Sequence, residues 1–114
     1  ATTQHGMALK EAGDCFTVTV DGKPIGCIGV VNFWEKRRHA WAYLSQDAGK
    51  HLVPLTRAIR LWLKYHGEGR IETAVDCRFD AAIRWVEMMG FEREGKMRQW
   101  SPTGDDFWLY ARIG

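Results

Sequence analysis

A short polar segment that contains Gln46, Gly49, Lys50 and His51 directly precedes the strongest helical pattern of the chain. Backbone N–H groups at the start of a helix, together with the positive end of the helix dipole, favour bound phosphate. Lys50 would add a point charge to such a site. The same residues also suit a surface turn that caps the helix. The segment is therefore a candidate phosphate site, with a capping turn as the alternative.

The remaining groups with chemical potential form weaker patterns. The basic run at residues 36–39 lies between Trp34 and Trp41, a combination that could contact phosphate or single-stranded nucleic acid. A hairpin turn with solvated charge is the alternative that we favour. The four histidines show no spacing such as His-x-x-x-His, and the three cysteines form no Cys-x-x-Cys pair. The sequence therefore predicts no metal site and no disulfide framework.

Alternating apolar residues predict the strands that position these groups. Asp21-Gly22 between the first two strands is a strong signal for a two-residue hairpin turn, because glycine tolerates a positive φ. The predicted strands cover residues 16–20, 25–31, 39–44, 71–75, 96–100 and 107–112.

Three segments have helical spacing. Residues 2–13 predict the end of a helix. Apolar residues recur at i, i+4, i+7 and i+8 from Leu55, so we expect a long helix that ends near Gly67. A second helix is predicted from Asp80, as its N-cap, to residue 89, with Gly90 as the residue that stops it. Strands and helices together predict a mixed sheet with helices packed on it, in a single domain of residues 1–114.

Composition and charge exclude several classes of protein. The chain has 114 residues, of which 46% are hydrophobic and 26% charged, as in ordinary globular domains and unlike disordered chains. The net charge of +2 argues against a strongly charge-driven nucleic-acid binder. No apolar run approaches the roughly 20 residues of a membrane span, and the first residues do not resemble a signal peptide. We therefore expect no membrane contact, and the unpaired cysteines favour a reducing compartment.

Two local sequences resemble the GNAT superfamily of acetyl-CoA-dependent N-acetyltransferases. Residues 82–91 are similar to the Ala-Ile-x-x-Tyr-x-x-x-Gly-Phe pattern of that family, and Gln46-x-x-Gly49-x-His51 is similar to its Gln/Arg-x-x-Gly-x-Gly/Ala pattern. The resemblance implies a GNAT-like α/β fold, a twisted mixed sheet flanked by helices, with the N-terminal strand of such a domain missing. It also implies that Gln46, Gly49, Lys50 and His51 hold the pyrophosphate of acetyl-CoA.

The resemblance further suggests which residues could be catalytic. Carboxylates on strands act as general bases toward substrate amines in related enzymes, so Glu72 and Glu35 are candidates, with Glu72 the stronger. A sheet-edge charge at Glu72 and a solvated turn at Glu35 are the alternatives. Val86 stands where many of these enzymes have a tyrosine that protonates the leaving thiolate, and Phe79 stands where they often have asparagine. Neither side chain can donate a proton.

Other departures from the pattern affect cofactor binding. His51 replaces a small residue beside the pyrophosphate, and Pro54 removes an N–H donor near the helix start. The tripeptide Ile83-Arg84-Trp85 and the turn at residues 101–104 resemble a phage branch of the GNAT fold that includes the internal virion protein A family of short-tailed phages.

Two functions follow as hypotheses. The first is a virion or assembly protein with a degraded acetyl-CoA site. It would contact other phage virion proteins or a second copy of itself through exposed tryptophans, and would reside in the virion or the host cytoplasm. The alternative is an acetyl-CoA-dependent N-acetyltransferase acting on an amine.

Overall fold

The computed structural model describes residues 7–12 and 15–114. None of the described helices is long and apolar enough to cross a bilayer. A short 3-10 helix, Gln46–His51, precedes the first α-helix. The elements are β1 (Met7–Ala12), β2 (Cys15–Val20), β3 (Lys23–Trp34), β4 (Arg37–Leu44), α1 (Leu52–His66), β5 (Arg70–Asp76), α2 (Asp80–Met88), β6 (Glu92–Met97) and β7 (Phe107–Ile113).

The seven strands form one mixed sheet in the order β1-β2-β3-β4-β5-β7-β6. The first four strands are a series of antiparallel neighbours, whereas β4 and β5 run parallel because α1 connects them as a crossover. Strand β7 lies antiparallel between β5 and β6. Both helices pack on one face of the sheet, so the other face carries no helix among the described residues.

Turn residues fix the two sharpest reversals that the sequence predicts. Asp21 and Gly22 have φ values of 50° and 80°, which is the two-residue hairpin geometry that matches strand twist. Gly90 has a φ of 93° directly after α2, as expected of a glycine that stops a helix. Both predictions are confirmed.

The predicted helix over residues 2–13 is wrong where the structure describes it. Met7–Ala12 is a strand that pairs with β2 along its whole length, while residues 2–6 and 13 lie outside the described residues. An isolated helix of this length is marginal because few of its backbone groups are paired, whereas pairing with β2 provides partners along the ladder.

The boundaries of α2 and β6 also differ from prediction. Asp80 is the first residue of α2, and Phe79 occupies the N-cap position. Strand β6 covers Glu92–Met97 rather than residues 96–100, and Trp100 lies in the following loop. Charged residues dominate β6 because it is an edge strand with a largely exposed surface, and this composition hides the strand from an apolar pattern.

The buried core consists of two clusters under the helices. One contains Val18, Val20, Ile25 and Leu55. The other contains Leu63, Ile71, Val75, Val86, Phe91 and Tyr110. Ile59 of α1 packs against both. The core therefore has one part beneath the first half of α1 and another beneath its second half and α2.

Candidate functional site

Strands β4 and β5 are neighbours over only three residue pairs, the last of which joins His39 to Glu72. In the described part of the chain, both strands continue without pairing each other. Where they separate, the Thr73 hydroxyl donates a hydrogen bond of 2.9 Å to the carbonyl oxygen of Ala40. The facing edges of the two strands therefore diverge toward their carboxyl ends and lack ladder partners there. We call this opening the β4–β5 gap.

A cavity of about 340 Å³ extends from the β4–β5 gap into the space between sheet and helices. Its walls are almost entirely apolar. Of the lining side chains, only Thr73, Asp76 and the indole N–H groups are polar, and the Trp85 indole already donates to Thr56 over 2.7 Å. The lining includes Phe16, Ile28, Val30, Ala40, Trp41, Ala42, Ile59, Trp62, Ala82, Trp85, Val86, Met89 and Phe107.

A tryptophan and a glycine shape the open side of the cavity. Trp41 lies on the sheet face opposite the helices, with its indole ring over Gly29 of the neighbouring strand. A Cβ at Gly29 would come within 2.4 Å of two carbons of that ring, so only glycine permits this position of Trp41. Trp41 is 39% exposed. It therefore forms a wall that a substrate entering from this face would contact.

The segment predicted to hold phosphate lies at the carboxyl end of β4 and leads directly into α1. Gly49 and Lys50 are exposed, and a Cβ at Gly49 would meet no atom within 4 Å. His51 is the N-cap of α1 but makes no side-chain capping hydrogen bond, and the first turn contains no acidic residue. The start of α1 therefore has no side-chain cap and no acidic residue, and the positive end of its dipole lies beside the β4–β5 gap.

Phe79 and Val86 also line the cavity, as their family positions lead one to expect. Phe79 is 60% exposed and stands at the start of α2, whereas Val86 is buried in the core. Both are apolar, so this wall provides neither a proton donor nor an amide. Trp62 and Trp85 pack against the core, as the sequence predicts.

Glu72 occupies a different environment from the sheet edge considered in the sequence analysis. It is buried on the central strand β5, on the face away from the helices. Its carboxylate accepts hydrogen bonds of 2.9 Å from Arg37 and 2.8 Å from Arg70, and Arg70 also pairs with Glu94 over 2.6 Å. Burial disfavours its charged form, but the two arginines outweigh burial and lower the pKa of Glu72. Glu35 lies exposed in the turn between β3 and β4.

His39 lies opposite Glu72 at the last residue pair before the β4–β5 gap opens. It is half-buried, and its ring centroid lies 6.2 Å from that of Phe33. Burial lowers its pKa below the ordinary value of 6.5; Glu72 opposes this shift and Arg37 adds to it. His39 is therefore a neutral imidazole at pH 7 and can accept a proton. The sequence analysis considered His39 only as part of the basic run at residues 36–39 and did not identify it as a candidate base.

The basic run at residues 36–39 is used within the protein. The Arg37 guanidinium lies 4.6 Å from the centre of the Trp34 ring while it pairs with Glu72. Arg38 donates to the carbonyl oxygens of His66 and Glu68 over 2.8 and 2.7 Å. The run thus lies at the turn between β3 and β4 as expected, but the charges of Arg37 and Arg38 are paired within the protein and not solvated.

The similarity of this chain to known proteins lies in its structure and not in its sequence. No protein-family model and no curated protein matches the sequence. A GNAT-family acetyltransferase from Bacillus anthracis has a TM-score of 0.70 and 16% identity, over 88% of this chain and 66% of that one. Ard1 from Thermoplasma volcanium has a TM-score of 0.75 and 16% identity, over 88% and 70%. The chain has the GNAT fold.

A third structure with the GNAT fold is that of RimL, a ribosomal L7/L12 alpha-N-protein acetyltransferase in complex with coenzyme A. It has a TM-score of 0.69 and 17% identity, over 87% of this chain and 60% of that one. The present chain thus spans 60% to 70% of the length of these three proteins. The likeness confirms the α/β, GNAT-like fold class expected from the sequence.

Proposed function

We propose that the chain is an acyl-CoA-dependent N-acyltransferase, with acetyl-CoA as the simplest donor and an amine as the acceptor. The observation that supports it most is the β4–β5 gap, which joins an apolar cavity to the uncapped start of α1. An anionic group can lie at the helix start while a neutral thioester arm enters the gap.

The residues present fit coenzyme A. Its pyrophosphate would lie against the first turn of α1 and the exposed backbone of Gly49, with Lys50 as a nearby cation and Gln46 and His51 flanking them. Pro54 removes one donor from this turn, but the remaining N–H groups are not capped by side chains. The amides of the pantetheine arm would pair with the strand edges that face the gap, since these edges carry no ladder partner there.

The reaction would follow the usual course of acyl transfer. The amine nitrogen attacks the thioester carbonyl, a C–N bond forms, and the C–S bond breaks to release the CoA thiolate. The amine loses one proton to a base, and the thiolate takes up one proton from solvent. Val86 cannot supply that proton, but a thiol with a pKa of about 8.5 leaves readily as its anion.

We assign the base role to His39, with Glu72 as the alternative that the sequence favours. A neutral imidazole at the apex of the gap has a lone pair that can accept a proton, and burial lowers the pKa of His39, which favours this neutral form. Glu72 is ionised but accepts hydrogen bonds from two arginines, which makes its carboxylate a weaker base. In this scheme the ion pairs of Glu72 with Arg37 and Arg70 hold β4 and β5 together at the apex of the gap, next to His39.

Calorimetric titration with acetyl-CoA and with CoA tests the proposal, followed by an assay of thiol release with a panel of amines. We expect a dissociation constant in the micromolar range and turnover with at least one amine. No heat at millimolar ligand, from a chain whose circular dichroism shows it to be folded, would overturn the proposal. Turnover without dependence on an amine would overturn the acceptor assignment.

Protein–protein contact within a phage particle, or self-association, is the second candidate. Its support is the exposed apolar surface on the helix-free face, where Val31, Phe33, Trp34 and Tyr43 are 46%, 49%, 62% and 78% exposed. The tryptophans of the original hypothesis do not form one surface, because Trp34 and Trp100 lie at opposite ends of the sheet. The placement in a virion rests on sequence resemblance alone. Co-purification with phage particles, without thiol release, would favour this candidate.

A further inference from the structure

The cavity continues well beyond the β4–β5 gap. It extends beneath β4 and β3 as far as β2, where Phe16, Ile28 and Ala42 form one row across three paired strands. Ile59 and Trp62 of α1 cover this row. The cavity thus has an entrance at the gap and an inner part under α1.

Apart from the indole N–H of Trp62, the inner part offers no polar side-chain group to a ligand. Phe16 and Ile28 lie on strands that are paired on both sides, so the backbone groups there already have partners, whereas Ala42 lies on the β4 edge that faces the gap. No buried side-chain oxygen or nitrogen of the described residues lacks a hydrogen bond. An amide placed there would lose its hydrogen bonds to water without replacement. The two amides of a pantetheine arm therefore belong at the gap, and the inner part suits only hydrocarbon.

Small side chains create the space. Ala40 and Ala42 of β4 and Ala82 of α2 line the cavity with a single methyl group each. A cavity with apolar walls favours apolar ligands, because its walls offer water few hydrogen-bond partners. An acetyl group carries only one methyl and would leave the inner part empty.

We infer that the acyl group carried into this site is a medium-length aliphatic chain, such as hexanoyl, rather than acetyl. This inference rests on the proposed N-acyltransferase function and specifies its donor. The bonds formed and broken are those of acetyl transfer, since only the alkyl chain differs. Each additional buried methylene favours binding by about fourfold, so the four extra methylenes of hexanoyl-CoA correspond to an upper limit of about 200-fold.

Calorimetric titration with CoA, acetyl-CoA and hexanoyl-CoA tests the inference. We expect hexanoyl-CoA to bind at least tenfold more tightly than acetyl-CoA. The substitution Ala42→Leu narrows the space behind the gap and should abolish this preference, so that hexanoyl-CoA binds no more tightly than acetyl-CoA does to the same variant. Ala81→Leu, at an exposed position of α2 outside the cavity, is the matched control and should retain the preference.

Each outcome has a distinct meaning. Equal binding of acetyl-CoA and hexanoyl-CoA would overturn the inference and leave the proposed function intact. A preference that survives in folded Ala42→Leu would also overturn it, because the chain would then bind elsewhere. Ala40→Val is the milder substitute should Ala42→Leu fail to fold, as judged by circular dichroism. Failure of all three CoA forms to bind would overturn the proposed function and the inference together.

Discussion

The two faces of the sheet at the β4–β5 gap are built from opposite kinds of side chain. On the helix-covered face, the gap opens into a cavity lined by alanine, isoleucine and tryptophan. On the other face, the apex carries His39 and the paired charges of Arg37, Glu72 and Arg70. One face suits a thioester and its alkyl group, whereas the other suits proton transfer and a polar acceptor. The strands separate the two environments and bring them together only at the gap.

Substitution of His39, the candidate base on the helix-free face, should have the largest effect on turnover. Loss of a positioned general base lowers rates by about 100- to 10,000-fold, so His39→Gln should lower kcat/KM by at least 100-fold. The affinity for CoA, measured by calorimetry, should stay within about twofold, since the imidazole lies on the opposite face. Unchanged turnover in this variant would contradict the base assignment.

The pH profile of the wild type sharpens the same assignment. The imidazole must be neutral to accept a proton, and burial favours its neutral form. Activity should therefore rise with pH through a pKa below 6.5 and stay level at neutral pH. A loss of activity toward acid pH that is centred above 6.5, or that persists in His39→Gln, would show that another group titrates.

Glu72 is a structural group in this account. Glu72→Gln should lower the free energy of unfolding by about 2 kcal/mol, because it leaves Arg37 and Arg70 with a neutral partner in a buried setting. Urea denaturation measures the change. Glu94→Gln, at a more exposed pair, is the control and should cost less than about 1 kcal/mol. Equal costs would show that burial does not distinguish the two pairs.

Acid should weaken the ion pairs of Glu72 with Arg37 and Arg70. The folded-state pKa of Glu72 is lowered, so its contribution to stability is complete above the ordinary glutamate pKa of 4.5 and is lost as the pH falls through the lower folded value. The wild type should thus lose stability more steeply with acid than Glu72→Gln does.

Substitution of Gly29 tests whether the Trp41 ring forms a wall of the acceptor site on the helix-free face. In Gly29→Ala, the new methyl group collides with the Trp41 ring and must displace it. Because Trp41 is partly exposed, the displacement should cost only about 1 kcal/mol of stability while it changes KM for the amine more than KM for the acyl donor. Gly95→Ala, where a Cβ meets no atom, is the matched control. An equal effect of both substitutions on KM would remove Trp41 from the acceptor site.

Lys50 should give the smallest effect. Lys50→Ala removes one exposed cation beside the helix start and should weaken CoA binding by about fivefold at low salt, with a smaller loss at high salt. Lys64→Ala, near the other end of α1, should leave binding unchanged.

The fold was more predictable from sequence than the site. Asp21-Gly22, Gly90 and the apolar face of α1 are local signals, and each is confirmed. Strand β1 was missed because six residues without a clear alternation take their structure from their neighbour. The β4–β5 gap could not be predicted, because it is defined by residues of two neighbouring strands that do not pair with each other, and no local sequence pattern signals missing strand pairing. Glu72 seemed a free carboxylate, although Arg70, two residues before it on β5, lies on the same face of the strand and could have been paired with it from the sequence. Its other partner, Arg37, is brought to it only by the pairing of β4 with β5.

The central claim is that the β4–β5 gap and the start of α1 form one acyl-CoA site. Backbone amide NMR shifts recorded while CoA is added test it most directly. We predict that the largest changes fall on residues 40–44, 49–56 and 73–76. Changes confined to residues 31–34 on the helix-free surface, or no changes at millimolar CoA, would contradict the account.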